Sequence, residues 1–306
     1  MKSHMLLTLF VITLTLATTC LAQQTNICEL SSQQEAKSCR AGVQSTLQLA
    51  LAQCDNVADA PAQLVCKQQA FANQKSASSL CVGQFSTRQL ICQQLGPAPY
   101  APVIEPANFG TVVDNPYFPL IPGTTLIYES QTPAGLERHG FTVTHNTVQI
   151  LGVTCVQIHN PVTLNGQLTG DTLDYFAQDK AGNVWFFKDD SEDLLNGRVV
   201  GLGGPWTAGL NGASPGIQAE AHPAIGDFYR QNFLLGTAED VARVLSLDST
   251  VTVPAGTFQH CVEIEERTGL DPSALEHKFY CRGVGLTLRV DLATGNRLPL
   301  VAIETE

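Results

Sequence analysis

CELSSQQEAKSCRAGVQSTLQLALAQCDNVADAPAQLVCKQQAFANQKSASSLCVGQFSTRQLIC, residues 28–92, carries six cysteines in palindromic order. The numbers of Cys28 and Cys92, of Cys39 and Cys81, and of Cys54 and Cys66 each add to 120. Antiparallel segments pair residues whose numbers have a constant sum. The spacing therefore predicts two helices folded back on each other and joined by nested bridges, Cys28–Cys92, Cys39–Cys81 and Cys54–Cys66. Good helix formers fill residues 28–54, without proline. On a helix of about 3.6 residues per turn, Cys39 lies about 20° beyond Cys28 and Cys54 about 60° further, inside one stripe of about 100°. Asp55-Asn56-Val57-Ala58-Asp59-Ala60-Pro61 supplies the turn, with proline suited to the first turn of the second helix. The same cysteines also read as three pairs spaced 11, 12 and 11 residues, a repeat of three short units. The single clear break near 55–61 favours the hairpin. A module of about 70 residues has a small core and relies on such staples. The chain has no Cys-x-x-Cys pair, so the bridges read as structural.

Residues 1–22 read as a signal peptide. Lys2 is basic, Met5–Ala17 is apolar apart from threonines, and Cys20-Leu21-Ala22 offers the small residues a signal peptidase reads. Cleavage after Ala22 is expected, with a lipid-anchored Cys20 as the alternative. No later stretch is long enough to span a membrane. The expected location is secreted or periplasmic, with the cysteine-rich hairpin over 23–95. Charge is uneven: residues 23–100 hold five basic and four acidic side chains, and residues 101–306 hold eleven basic and 24 acidic. So acidic a surface repels phosphate backbones and excludes nucleic acid as a partner.

Residues 96–123 read as a linker, kept extended by Pro97, Pro99, Pro102, Pro106, Pro116, Pro119 and Pro122. From Thr124 to the end, short β-branched and aromatic runs alternate with turn dipeptides. Gly140–Leu151, Val153–Leu164, Thr172–Ala177, Val184–Lys188, Gln259–Arg267 and Leu275–Arg282 are the clearest. Asn165-Gly166, Asn196-Gly197 and Thr294-Gly295-Asn296 mark hairpins. The fold class is α+β: a stapled helical hairpin, then an antiparallel meander over 124–306 forming a half-barrel or barrel-like domain. Ala238–Val244 is the one plausible short helix in this part. The glycine-rich run 201–216 around Trp206 is either a lid over a cavity or a structured connection pinned by a buried tryptophan.

Several patterns bear on chemistry. Gly212-Ala213-Ser214-Pro215-Gly216 matches the nucleophile elbow of serine hydrolases, but Pro215 lacks the N–H that the oxyanion hole needs, and no helix follows. His145, His159, His222, His260 and His277 are scattered without metal-ligand spacing, so no metal and no cofactor are expected. If the last hairpin folds about residue 271, Cys261 faces Cys281 in a cross-strand disulfide. Glu266 then faces Glu276 beside Lys278 and Tyr280, and Glu265 faces His277. That cluster reads as a salt-bridged ladder, an acid–base pair or a cation site. Cys155 is left as a buried free thiol. Trp185 and Phe187 share one strand face and Phe186 the other. With Tyr175 and Phe176 they line a cavity or fill a core.

Four motifs carry a family resemblance: Asp114-Asn115-Pro116-Tyr117-Phe118-Pro119-Leu120 with Pro122-Gly123-Thr124; Tyr175-Phe176-Ala177-Gln178-Asp179 with Gly182-Asn183-Val184-Trp185; His222-Pro223 with Gly226-Asp227-Phe228-Tyr229-Arg230-Gln231; and Glu276-His277-Lys278-Phe279-Tyr280 with Gly283-Val284-Gly285-Leu286. Together they resemble a family of exported bacterial β-rich proteins over about residues 110–304. That family is distantly similar to the half-barrel lipoprotein-carrier folds. The resemblance includes an isolated cysteine at the Cys155 position and implies no particular reaction. The cysteine hairpin and the Cys261–Cys281 pair lie outside it.

The functional expectation is an exported, non-enzymatic protein that binds an apolar or amphipathic small molecule, or an envelope component, in the β-domain. Tyr175, Trp185 and Trp206 would give stacking surface, and Glu276, Lys278 and Tyr280 polar orientation. One alternative is a hydrolase, with or without a divalent cation, using Asp174, His222, Glu266, Glu276 and His277. Another is a structural module whose helical hairpin docks an envelope protein.

Overall fold

The structure, a computed structural model, describes residues 26–306. The expected signal peptide, its cleavage after Ala22 and Cys20 lie outside the described residues. Two long helices, α1 (Ile27–Asp55) and α2 (Ala60–Leu95), form the hairpin. Asn26 caps α1 by accepting from the Glu29 N–H at 3.0 Å, and Asp59 caps α2 by accepting from the Ala62 N–H at 2.8 Å. The three nested disulfides are formed as the palindrome requires. Their need is visible in the packing: α1 buries only Ser32, Ala36, Leu47 and Cys54, too little apolar surface to hold a helix pair in water.

The β-domain is one antiparallel sheet. Its strands are β1 (Thr124–Thr132), β2 (Gly135–Ile150), β3 (Val153–Leu164), β4 (Gln167–Gln178), β5 (Val184–Leu195), β6 (Arg198–Leu202), β7 (Trp206–Thr207), β8 (Ser214–Ala219), β9 (Phe228–Arg230), β10 (Asn232–Phe233), β11 (Asp240–Val253), β12 (Gly256–Thr268), β13 (Leu275–Cys281), β14 (Gly285–Asp291) and β15 (Arg297–Thr305). The spatial order is β10-β8-β5-β4-β3-β2-β1-β15-β14-β13-β12-β11-β9, with β6 and β7 also pairing with β5. The two end strands, β9 and β10, are separated by Gln231 alone, so the path returns on itself and the sheet is nearly closed into a barrel. Asn165 and Asn196 take positive φ beside Gly166 and Gly197, as two-residue hairpin turns require.

Three apolar clusters hold the sheet. The interior one joins Val156, Ile158, Phe176, Val184, Val244, Val262 and Ile264 to Phe118 and Leu120, which precede β1. A second packs the outer face of β3–β5 (Cys155, Tyr175, Phe187) against Trp206, Ala208 and Ala213, with Ile104 and Phe109 beside it. The third surrounds the Cys261–Cys281 disulfide with Leu288, Leu298, Leu300 and the β11–β12 tip residues Val251 and Val253.

Two expectations are corrected. Ala238–Val244 does not form a helix: β11 runs through it, paired on both edges with β9 and β12, and its Val241, Ala242 and Val244 are buried. Burial in a sheet overrides the weak helical propensity of Ala238-Glu239. Residues 96–123 are not wholly a free linker. Pro106–Asn108 make a turn of 3-10 helix, Phe109 bridges Asp179, Val113 pairs with Leu120, and Phe118 enters the core. The apolar residues between the prolines are what draw this segment onto the barrel.

The hairpin docks on the barrel. Arg88 of α2 donates to both carboxylate oxygens of Glu239, at 2.7 and 2.8 Å, and also binds Glu35 of α1. Gln84 donates to the Leu270 carbonyl at 2.6 Å.

Candidate functional site

In a small barrel alternate residues point inwards. Along β3 these are Val156, Ile158 and Asn160, along β4 Phe176 and Asp174, along β12 Val262, Ile264 and Glu266, and along β13 Tyr280, Lys278 and Glu276. On every one of these strands the apolar residues lie at one end and the polar ones at the other. Strand by strand, this gives an interior with an apolar layer and a polar layer. At their junction lies a cavity of about 240 Å³. Phe118, Phe141, Phe176, Phe186, Tyr128 and Tyr280 give it aromatic walls, Leu126, Leu286 and Leu298 add aliphatic ones, and Asn160, Asp174, Asp189, Lys278, His139 and Arg289 give it a polar end. The Phe176 and Phe186 rings stack with centroids 4.7 Å apart.

The β4–β5 register places Asp174 directly opposite Asp189. The two carboxyls are near neighbours at the polar end of the cavity, with Asn160 beside them, and the Ser191 hydroxyl donates to Asp189 at 2.5 Å. Burial and the adjacent Asp189 carboxylate hold Asp174 well above the usual carboxylate range. Asp189 is raised too, first by its own burial. Two carboxyls so close resist ionising together, which favours a proton shared between them.

The predicted ladder forms in the expected register: Glu266 faces Glu276, and Glu265 faces His277. Lys278 resolves the like-charge clash by binding Glu266 and standing 3.5 Å from Glu276, whose other oxygen is 3.5 Å from Arg289. Burial alone would depress the Lys278 ammonium, but Glu266 with Tyr280 and Glu276 raise it above the usual lysine range, so it stays charged. Tyr280, 5% exposed, accepts from Gln218 at 3.3 Å, and its hydroxyl is pushed up to about 12, chiefly by burial. His139 is bonded to Glu137 at 2.6 Å, and burial lowers its pKa.

The remaining candidates are dispersed. His277 points away from the interior and pairs with Glu263 at 2.9 Å. His222 is exposed, in a groove with Asp114, Tyr117, Gln178 and Arg282. Of the five hydrolase candidates, Asp174, Glu266 and Glu276 belong to the polar layer and the two histidines do not. Tyr175, Trp185 and Trp206 do not line the cavity. Tyr175 accepts from Gln157 at 2.9 Å beneath the Lys188 ammonium, and the Trp185 indole donates to Asp179 at 2.9 Å. Trp206 is buried against the edge of Phe186, 5.0 Å between centroids. The glycine-rich segment is thus a structured connection held to β5 by the pairing of Trp206 with Asp189 and Thr207 with Lys188. Among the described residues no group of three or more His, Cys, Asp or Glu is placed to hold a metal ion, and no helix is long and apolar enough to cross a membrane.

Sequence reading missed Asp189, Asn160, His139 and Arg289. A β-bulge at Phe187 hides Asp189: strict alternation from Phe186 would bring Lys188 and Asp190 inwards, whereas the extra residue turns Asp189 in and Lys188 out. The resemblance motifs have a structural setting. Asn115 donates to the Gly182 and Glu220 carbonyls at 2.8 and 3.1 Å, Gln178 accepts from the Asp114 and Asn115 N–H groups, and the Gly283 N–H donates to the Pro116 carbonyl at 2.7 Å. They knit the segment before β1 onto the apolar end of the barrel. Cys155 is buried and unpaired, its thiol pushed up to about 12 by burial. Four structural disulfides point to an oxidising extracellular or periplasmic environment. No family model, curated protein or solved structure matches this chain.

Proposed function

We propose that this is an exported binding protein whose barrel takes up an apolar or amphipathic small molecule. The observation that carries the reading is the 240 Å³ cavity with aromatic and aliphatic walls and a few convergent polar groups at one end. That is the usual make-up of a small-molecule site, though smaller than the common size range of about 300–1,000 Å³. An apolar cavity of about 150 Å³ already accepts benzene, so a one-ring or short-chain body fits. In this reading Lys278 and Tyr280, with Asp174 and Asp189, supply polar orientation, since all four line the cavity. Glu276 acts one step removed, by holding Lys278 and Arg289. The stacking surface is Phe176 and Phe186 in place of Tyr175 and Trp185.

The hydrolase reading draws on the Asp174–Asp189 pair, which could exchange a proton with a substrate. It is weakened by the positions of His222 and His277. Docking of an envelope protein on the hairpin is compatible with the fold, since part of α2 faces the barrel and the rest is free.

Native mass spectrometry of the protein recovered from the exporting cell tests the binding reading, with a mass above that of the bare oxidised chain as the expected result. A neutral one-ring probe, phenylbutanol, followed calorimetrically, should bind the stripped protein one to one. Leu286→Trp, which fills the cavity, should abolish that binding. A bare mass together with probe uptake unchanged in Leu286→Trp would refute the proposal.

A further inference from the structure

We propose that the cavity selects a cationic amphiphile, an ammonium group on an aromatic or short aliphatic body, with the ammonium seated on Asp174 and Asp189. The inference rests on the reading of the cavity as a ligand site and names the chemistry of its ligand. The polar layer decides it by charge. Asp174, Asp189, Glu266 and Glu276 are acidic and Lys278 and Arg289 basic; with one proton shared between the two aspartates, the layer keeps a net charge of −1.

The distribution matters more than the sum. Lys278 already has Glu266 and Glu276, and Arg289 has Glu276, so the cations of the site are occupied by its own carboxylates. An anionic head group would have to break those pairs and lie beside the aspartates. Asp174 and Asp189 have no ion pair of their own: the Ser191 hydroxyl donates to Asp189, and the Lys278 charge, already paired with Glu266 and Glu276, is the smallest of the influences on Asp174. A buried carboxylate lacking a counter-ion is the natural seat for a ligand cation. The walls agree. Six aromatic residues line the cavity, and ring faces attract cations where water is excluded. The Tyr280 hydroxyl accepts from Gln218, and its own hydrogen has no acceptor among the described residues, which leaves one donor free for a polar atom next to the ammonium.

Proton balance follows. Before binding, the aspartate pair carries one proton between two carboxyls. A ligand that arrives as an ammonium favours ionisation of both, and the displaced proton leaves to solvent. No bond of the ligand is made or broken. Binding is therefore linked to pH, tighter as pH rises until the amine itself loses its proton. The ionisable groups around the pair are Lys278 from β13, His139 from β2, Arg289 from β14, Asp240 from β11 and Asp190 on β5 itself.

Three probes with one skeleton separate the possibilities: phenylbutylamine, phenylbutanol and phenylbutyrate, titrated calorimetrically into the full oxidised chain at about pH 7.5 in two buffers of different ionisation enthalpy. The amine should bind at least about tenfold tighter than the alcohol, as a charge-assisted contact requires, and release a fraction of a proton; the acid should bind weakest. Asp174→Asn should cut amine affinity at least about tenfold and lower the amine-to-alcohol preference by the same order, with near-ultraviolet circular dichroism reporting the fold. Asp189→Asn serves if Asp174→Asn does not fold. Equal or tighter binding of alcohol or acid overturns the cationic selectivity and leaves the cavity a ligand site. Binding of none of the three overturns both.

Discussion

Replacing Arg88 by alanine should loosen the helical hairpin from the barrel more than any other single surface-to-surface change. Its guanidinium is 3% exposed, donates twice to Glu239, itself 3% exposed, and binds Glu35. With the guanidinium gone, Glu239 keeps only the Gly236 N–H, at 2.6 Å. A buried ion whose partner is removed costs about 3–5 kcal/mol. Against a typical domain stability of about 5–15 kcal/mol, that is a large share. Urea unfolding of the disulfide-intact full chain, followed by circular dichroism at pH 7, should show Arg88→Ala less stable by about 3–5 kcal/mol. Arg88→Met with Glu239→Gln should recover most of the loss, because no buried charge is left. A loss under about 1 kcal/mol at pH 7, or no recovery in the Arg88→Met, Glu239→Gln double variant, would refute the reasoning, since a pair worth so little would be behaving as an exposed one.

Two further predictions concern titration. Glu220 has an unpartnered carboxylate oxygen, and burial, then Asp227, push its carboxyl up to about 7. A raised carboxyl binds a proton in the folded state that the unfolded chain has already lost. Stability should therefore fall as pH rises from about 4.5 through about 7, and Glu220→Gln should remove about 1–2 kcal/mol of that fall, discounted for its partial exposure. Urea midpoints at pH 5 and 8 check this, and an unchanged slope in the variant would count against it. Cys155, buried with its thiol near 12, should resist Ellman's reagent for hours in the native protein and react once in urea; prompt native labelling would contradict its burial.

The legible parts of this fold were those governed by counting. Paired cysteines fix the hairpin because antiparallel partners keep a constant sum, and the same rule sets Cys261 against Cys281 and Glu266 against Glu276. What escaped depends on breaks in the count or on distance. The bulge at Phe187 exchanges Lys188 for Asp189 inside the barrel, and nothing in Phe186-Phe187-Lys188 marks the slip. Trp185 looked like the ligand platform because tryptophan is large, yet its parity with Phe187 sends it outside. Arg88 and Glu239 stand 151 residues apart, and an arginine in a polar helix resembles any solvated one until the barrel is laid against it. Phe118 and Leu120 are apolar residues among prolines, and their place in the interior follows only from the closure of the sheet.

The outermost bridge has a mechanical consequence. The Ile27 N–H donates to the Pro97 carbonyl at 2.9 Å, and the Cα atoms of Cys28 and Cys92 are 5.5 Å apart. The chain enters and leaves the hairpin at one point. A pull at residue 26 reaches the barrel through that single disulfide and, beyond it, only through the lateral docking contacts of Arg88 and Gln84. The far turn near residues 55–60 lies off that path, so it can be nicked or shortened without weakening the link between residue 26 and the barrel.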